Sequence, residues 1–175
     1  MSYDFLNNEN SPKILVEAKK LLGIKEIVGE KHNPIILGWA KTLGLENVYN
    51  SDEIAWCGLF MGYVIHMANL DIPFSYQQGL WALNWNRFGT KQKTAMLGDV
   101  LTFKRKNGGH VGIYVGEDDV CYHVLGGNQN NSVSVVRIEK LRLSQIRRTN
   151  WKIKQPDNVR VIQLNNNGNI SENES

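Results

Sequence analysis

Two residues in this sequence have side chains that can perform nucleophilic chemistry as a pair. Cys57 opens an apolar stretch, and His110 directly follows the turn-forming run Asn-Gly-Gly at 107–109. A thiolate attacks carbonyl carbon atoms, and an imidazole with a pKa of about 6.5 can remove the thiol proton and later deliver it to a leaving group. The sequence therefore predicts acyl chemistry, with Cys57 as the nucleophile and His110 as the general base.

The position of Cys57 strengthens this hypothesis. The apolar pattern predicts a buried central helix over residues 57–69, which places Cys57 in its first turn. Free backbone N–H groups and the positive end of the helix dipole favour a thiolate and can bind an oxyanion. We therefore expect a lowered pKa for the Cys57 thiol. The alternative is that Cys57 is a small core residue, as most free cysteines are.

A third polar residue is expected to orient the imidazole. The turn Gly-Gly-Asn-Gln at 126–129 follows the next predicted strand, about eighteen residues after His110. A side-chain amide there can accept a hydrogen bond from the ring and fix its tautomer. Asn128 is the candidate for this role. The alternative is that Asn128 is a turn asparagine with a positive φ.

The other histidines and the second cysteine are expected to be structural. His66 lies on the central helix as a core or interface residue, and His32 lies in a surface loop. Cys121 is expected to be buried on a strand. His123, on the same strand, is the alternative general base.

A metal site is the weaker interpretation of these residues. Cys57, His110 and His123 can in principle form a zinc site, but no short paired spacing of ligands supports it. No nucleotide-binding or metalloprotease motif is present either. We therefore expect neither a metal nor a cofactor.

A helix and a sheet are needed to bring these residues together. Helical spacing of apolar residues marks the first half of the chain, at residues 12–22, 33–43, 57–69 and 80–87. Short β-branched and aromatic runs separated by tight turns mark the second half, at residues 99–104, 110–116, 120–125, 132–138 and 143–148. Helices first and strands later predict an α+β fold, with the helices packed on a small antiparallel sheet.

Composition limits the class of protein. The chain has 175 residues, 42% of them hydrophobic, which is enough for one core. A net charge of +3 is too small for a nucleic-acid-binding surface, and the apolar runs are too short for a membrane span. The start MSYDFLNNEN lacks the basic and apolar regions of a signal peptide. We expect an extension at 1–11, a catalytic domain at 12–155 and a flexible polar tail at 156–175.

Four motifs carry a family resemblance. They are AWC at 55–57, GDVLTFK at 98–104, GGHVGIYVGE at 108–117 and VLGGNQ at 124–129. In this order they are very similar to the NlpC-type proteins of bacteria and phages, which are close to the CHAP amidases among the papain-like cysteine hydrolases. The resemblance covers about residues 12–150. Two positions depart from it, since Ala55 stands where the family often has proline, and Gly126 where related CHAP proteins often have an acid.

The resemblance implies a papain-like fold and hydrolysis of amide bonds in bacterial peptidoglycan. It assigns Cys57 as nucleophile, His110 as general base and Asn128 as the orienting residue, with Gln129 or a backbone carbonyl as alternatives to Asn128. The residues expected to contact substrate are those that flank this machinery, namely Glu53, Trp56, Gly58, Gly109 and Gln129.

A protein of this kind made in the bacterial cytoplasm without a signal peptide needs another route to the wall. A phage lysin released through a holin, a virion-associated lysin and a toxin injected by a secretion machine all fit, and the phage lysin is favoured. Three other activities remain open. They are a non-catalytic wall-binding or structural module on the same fold, a papain-like acyl transferase, and a zinc amidase.

Overall fold

The computed structural model describes residues 3–8, 10–165 and 169–172, and within these residues the chain folds as α+β. The α-helices are α1 (Phe5–Asn8), α2 (Lys13–Lys19), α3 (Pro34–Thr42), α4 (Cys57–Met67) and α5 (Tyr76–Gly79). Short 3-10 helices span Ala82–Arg87 and Lys140–Arg142. The strands are β1 (Thr90–Gln92), β2 (Val100–Arg105), β3 (Gly108–Glu117), β4 (Cys121–Gly126), β5 (Ser134–Glu139) and β6 (Leu143–Arg148).

The six strands form one antiparallel sheet in the order β1-β6-β2-β3-β4-β5. The longest strand, β3, pairs along its first half with β2 and along its second half with β4. Pairing with β4 starts at Ile113 opposite Leu125. The beginning of β3, including His110, therefore borders a gap between β3 and β4 that another element can fill.

Helix α4 fills the centre of the molecule. It packs against α2, α3, α5, β3 and β4. Its buried apolar residues include Leu59, Phe60, Met61, Val64 and Ile65, each worth roughly 1.5–3 kcal/mol of burial. The prediction of a buried central helix is confirmed. Across the described part of the chain, no helix combines the length and the apolar character that crossing a bilayer requires.

Local signals in the sequence explain where several helices begin. The Asn33 side chain accepts a hydrogen bond from Ile35 N (2.8 Å), which caps α3 ahead of proline at its first position. Ser75 and Gln78 form a reciprocal capping box at α5. Helix α2 begins one residue later than the sequence predicts, with Pro12 rather than Ser11 at its N-cap.

The predicted flexible tail packs against the sheet over much of its length. Glu117 N donates to Ile162 O, and Leu164 N donates to Glu117 O, both at 2.8 Å. Val159 and Ile162 are buried, and Leu164 packs against the core. Residues 159–164 thus cover part of the sheet with their spaced apolar side chains, and the flexibility predicted from residue 156 stays a prediction. Residues 166–168 and 173–175 of the predicted tail lie outside the described residues.

Candidate functional site

The tight packing of Trp56 fixes Cys57 at the first position of α4. The Trp56 ring is fully buried against Trp39, and its Nε1 donates to Glu26 Oε2 (3.1 Å). This anchors the residue immediately before the helix. The direction in which the chain enters α4, and with it the position of the cysteine, is set by an aromatic side chain in the core.

Burial dominates the environment of the Cys57 thiol. The residue is 4% exposed, and this desolvation raises the pKa of the Cys57 thiol. The Val111 backbone N–H, the charge of Arg105, and the N–H groups of Gly58 and Cys57 all act in the opposite direction but do not outweigh it. The lowered pKa expected from the helix N-terminus is therefore wrong, because desolvation exceeds the stabilisation that the N–H groups provide.

The hydrogen bond from the Val111 N–H also places the Cys57 sulfur beside the peptide bond that joins His110 to Val111. Val111 directly follows His110 on β3, and it precedes the residues of β3 that pair with β4. Its N–H reaches the sulfur instead of a strand partner. The start of α4 thus occupies the gap between β3 and β4, and the thiol lies beside the backbone of the imidazole residue.

The hydrogen bonds of Gln129 determine which imidazole nitrogen is the base. Gln129 Nε2 donates to the carbonyl oxygens of Val124 (3.2 Å) and Ser134 (2.6 Å), which fixes the amide orientation. Its Oε1 then faces His110 Nε2 at 3.0 Å. Because this oxygen only accepts, His110 Nε2 carries the hydrogen. In the neutral ring the lone pair is consequently on Nδ1, the nitrogen available to take a proton from a thiol.

Gln129, rather than Asn128, supplies the hydrogen bond that orients the ring. Asn128 has a φ of 57°, the left-handed turn conformation that was the alternative interpretation of this residue. The position of Gly126 shows why the next side chain reaches the imidazole. A Cβ at 126 would lie 2.7 Å from Gln129 Oε1 and 3.3 Å from His110 Nε2. The amide of Gln129 thus fills the space that a side chain at 126 would take.

The loop between β4 and β5 holds Gln129 by its backbone as well. Gln129 N donates to Ser132 O (3.0 Å), and the Ser132 hydroxyl donates back to Gln129 O (2.9 Å). Asn130 and Asn131 also have positive φ, of 51° and 57°. The asparagine-rich sequence therefore supports a tight turn that presents the glutamine, and this is the signal that could have identified it.

Three of the residues expected to contact substrate have side chains, and of these only Glu53 is exposed. Trp56 and Gln129 are 0% exposed, because one packs in the core and the other packs on His110. Glu53 lies at the surface just before α4. Substrate contact stays a prediction for all three residues, and of their side chains only that of Glu53 is at the surface.

The two glycines of this set have a packing role. A Cβ on Gly58 would lie 2.4 and 2.5 Å from the carbonyl oxygens of Gly79 and Leu80. A Cβ on Gly109 would lie 2.6 Å from Leu83 Cγ. The segment 79–83 therefore approaches both residues next to the Cys57–His110 pair. Chain atoms therefore occupy the space directly beside the α-carbons of Gly58 and Gly109.

His123 belongs to a separate buried cluster. Its Nε2 donates to Asp118 Oδ2 (2.8 Å), and its Nδ1 accepts from the Tyr3 hydroxyl (2.9 Å). Arg137 Nε also donates to Asp118 Oδ2 (2.8 Å). Both ring nitrogens thus have protein partners, and the alternative role as general base has no support in this geometry. Cys121 is buried on the same strand, as the sequence predicts.

Of the remaining two histidines, His32 is half-buried and His66 is exposed. His32 Nδ1 contacts Asp52 Oδ1 (2.9 Å), and His66, exposed rather than in the core, contacts the Tyr76 hydroxyl. The buried Asp52 also accepts from Asn33 N and Ile27 N. Burial acts to raise the pKa of Asp52, but these hydrogen bonds outweigh it and lower the pKa. Within residues 3–8, 10–165 and 169–172, no group of three His, Cys, Asp or Glu side chains is arranged to hold a metal ion.

No protein-family model matches the chain, and no curated protein matches it significantly.

Proposed function

We propose that this chain is a peptidoglycan hydrolase that cleaves an amide bond of the wall peptide through a cysteine–histidine mechanism, as a lysin of bacteriophage type. The observation that supports it most directly is the fixed tautomer of His110. Gln129 holds Nε2–H, so Nδ1 is the base, and the next residue along β3 donates its N–H to the Cys57 sulfur. The four sequence motifs supply the choice of substrate.

The mechanism begins with proton transfer from Cys57 Sγ to His110 Nδ1. Because burial raises the pKa of the thiol, an isolated thiolate is costly here, and the imidazolium formed beside it compensates that charge. The sulfur then attacks the amide carbonyl. N–H groups at the start of α4, including that of Cys57, stabilise the oxyanion, an effect worth about 3–4 kcal/mol per donor.

Collapse of the tetrahedral intermediate breaks the C–N bond, and His110 delivers its proton to the departing amine. Water then attacks the thioester with His110 again as the base, which releases a carboxylate and restores the thiol. Gln129 keeps its hydrogen bond to Nε2 in both protonation states, because Nε2 carries a hydrogen in the neutral and in the charged ring.

The two cysteines allow a matched test of this proposal. Cys57→Ala should abolish the release of soluble fragments from purified peptidoglycan, with a change in unfolding free energy below about 2 kcal/mol. Cys121→Ala removes the other buried thiol, which lies at the opposite end of β4 from Gly126, the residue next to the His110 ring, and should retain activity. Fragment release by Cys57→Ala at the wild-type rate would contradict the proposal.

Product masses distinguish the other activities. Hydrolysis adds one water across the cleaved amide, whereas acyl transfer attaches an added amine. A wall-binding module gives neither product and leaves the peptidoglycan intact. Mass spectrometry of the fragments therefore identifies the reaction and also the bond that is cut.

A further inference from the structure

A basic groove lies at the tip of the β2–β3 hairpin, next to the proposed site. It has a volume of about 360 Å³. Three consecutive cations of the hairpin contribute to it, together with one arginine that ends the 3-10 helix before β6 and one acid from the C-terminal segment. The lining residues are Lys104, Arg105, Lys106, Asn107, Arg142 and Glu172.

Arg105 connects this groove to the Cys57–His110 pair. Phe103 is opposite His110 in the β2–β3 ladder, and Arg105 is opposite Gly108. Residues two apart on a strand share a face, so the Arg105 side chain and the imidazole project from the same face, roughly 7 Å apart along the strand. The charge of Arg105 also acts on the Cys57 thiol, in the direction that lowers its pKa.

The chemistry of the groove matches a carboxylate on a peptide. Guanidinium groups bind carboxylates through paired N–H donors. The chain itself supplies an example of an acidic peptide in this place. Glu172 lines the groove, and Arg142 Nη1 donates to the carbonyl oxygen of the preceding residue, Ser171 (3.0 Å). A backbone carbonyl and an acidic side chain are thus accommodated together.

We propose that this basic groove binds a carboxylate of the peptide that Cys57 attacks, with Arg105 as the specificity-determining contact. The identity of the attacked peptide rests on the function proposed above. The carboxylate can come from the substrate or from Glu172 of the chain's own C-terminal segment, so the groove also admits competition between the two.

Alkylation of Cys57 tests the groove without any peptidoglycan. Iodoacetate carries a carboxylate, whereas iodoacetamide is neutral, and the ratio of their rates cancels changes in the reactivity of the thiol itself. Mass spectrometry of the peptide that contains residue 57 follows both reactions at low ionic strength. We expect Arg105→Gln to reduce the iodoacetate to iodoacetamide ratio about fivefold.

Two control variants make the measurement specific. Lys91→Gln removes the same charge from β1, which is separated from β2 by β6, and should keep the wild-type ratio. Arg105→Lys keeps the charge and should retain most of the preference for iodoacetate. Equal ratios in the wild type, Arg105→Gln and Lys91→Gln would overturn the proposal, provided that circular dichroism shows all three folded.

Two further experiments distinguish a carboxylate of the substrate from that of Glu172. Glu172→Gln should raise the alkylation ratio, because the competing carboxylate is removed; a ratio equal to that of the wild type assigns the groove to the substrate alone. The second experiment compares two peptides that are identical except that one has a free carboxylate and the other has the same group amidated. The wild type should show a higher kcat/KM for the free carboxylate, and this difference should be much smaller in Arg105→Gln. If no peptide or peptidoglycan is hydrolysed, the proposed function fails while the alkylation ratio still decides on the groove.

Discussion

At the scale of single residues, the proposed site depends on a glutamine whose side chain is buried behind the imidazole. Gln129 is fully buried and has three hydrogen-bond partners, the imidazole and two backbone carbonyls. In the proposed mechanism it is a positioning residue, because it would act on the reaction through His110. Removing it would leave the His110 Nε2–H without an acceptor and release the ring from a single tautomer.

Gln129→Leu should therefore reduce kcat by at least about 10²-fold, the usual size of general acid–base catalysis. Loss of buried hydrogen bonds should also reduce the unfolding free energy by about 1–3 kcal/mol. Nitrogen NMR distinguishes positioning from mere destabilisation: above pH 8 the wild-type ring should be protonated at Nε2, and the variant should show a mixture of tautomers.

Asn128→Gly serves as the neighbouring comparison. Glycine adopts the positive φ of this position without strain, so the turn is preserved while the asparagine side chain is lost. Its kcat should fall less than that of Gln129→Leu. The orienting role would belong to Asn128 if two results were found together. These are a larger fall in kcat for Asn128→Gly than for Gln129→Leu, and an unchanged His110 tautomer in Gln129→Leu.

Residue types in the sequence mark Cys57 and His110 as the candidate nucleophile and base, but they leave the orienting residue open between Asn128, Gln129 and a backbone carbonyl. Asn128 and Gln129 are adjacent amides, and either type can hold an imidazole. With Asn128 in a left-handed backbone conformation, it is the side chain of the next residue, Gln129, that points toward His110. The raised pKa of the Cys57 thiol also could not be predicted from the sequence. It results from desolvation, which depends on how segments distant in sequence pack around the start of α4.

At the scale of elements, the start of α4, which carries Cys57, is held by its contact with the segment 79–83. The carbonyl oxygens of Gly79 and Leu80 lie where a Cβ of Gly58 would be, and the Trp85 indole donates to Gly79 O (2.9 Å). The helix that carries Cys57 can approach this segment only because residue 58 has no side chain.

Gly58→Ala should therefore push α4 away from residues 79–80 and reduce the unfolding free energy by about 1–3 kcal/mol, as overpacking in a core does. Urea unfolding measures the change. Fragment release should fall with it, because the thiol moves with the helix.

Gly38→Ala is the matched control, on α3. A Cβ at this position meets nothing within 4 Å, so the gain in helix propensity should raise stability by about 0.5–1 kcal/mol. A stability for Gly58→Ala at or above the wild-type value would show that segment 79–83 yields without cost.

The long elements follow from periodicity in the sequence, whereas the short ones do not. Helices α3 and α4 and strands β2 to β6 lie close to their predicted positions. Strand β1 is three residues long and mostly exposed, so it has no apolar alternation to reveal it. Helix α5 has only four residues, although its capping pair at Ser75 and Gln78 is a recognisable start signal.

At the scale of the whole molecule, both ends of the described chain meet at one buried charged cluster. Tyr3 donates to His123 Nδ1, and Arg137, which contacts Asp118, pairs through its backbone with Ile170 and Ser171. Burial raises the pKa of Tyr3 to about 12, so its hydroxyl remains a donor across the physiological range. His123 thus lies in the cluster to which both terminal segments attach.

Acid should weaken this buried cluster in two stages. Burial lowers the pKa of His123 below its ordinary value of 6.5, and this effect exceeds the opposite effect of Asp118. Below about pH 6.5 the unfolded chain therefore binds a proton at this residue that the folded chain does not, and stability falls as the pH falls. Burial acts to raise the pKa of Asp118, but its hydrogen bonds, chiefly with Arg137, lower it, so its contribution is lost only below about pH 3.8.

Urea unfolding between pH 8 and pH 5 measures the first stage. The wild type should lose stability toward pH 5 with a slope from His123 of at most about 1.4 kcal/mol per pH unit. His123→Gln keeps a donor for Asp118 but cannot titrate, so its slope should be smaller. His66→Gln removes an exposed imidazole from α4 and should follow the wild type. Identical slopes in the wild type and both variants would mean that the protonation of His123 does not control how the terminal segments are held.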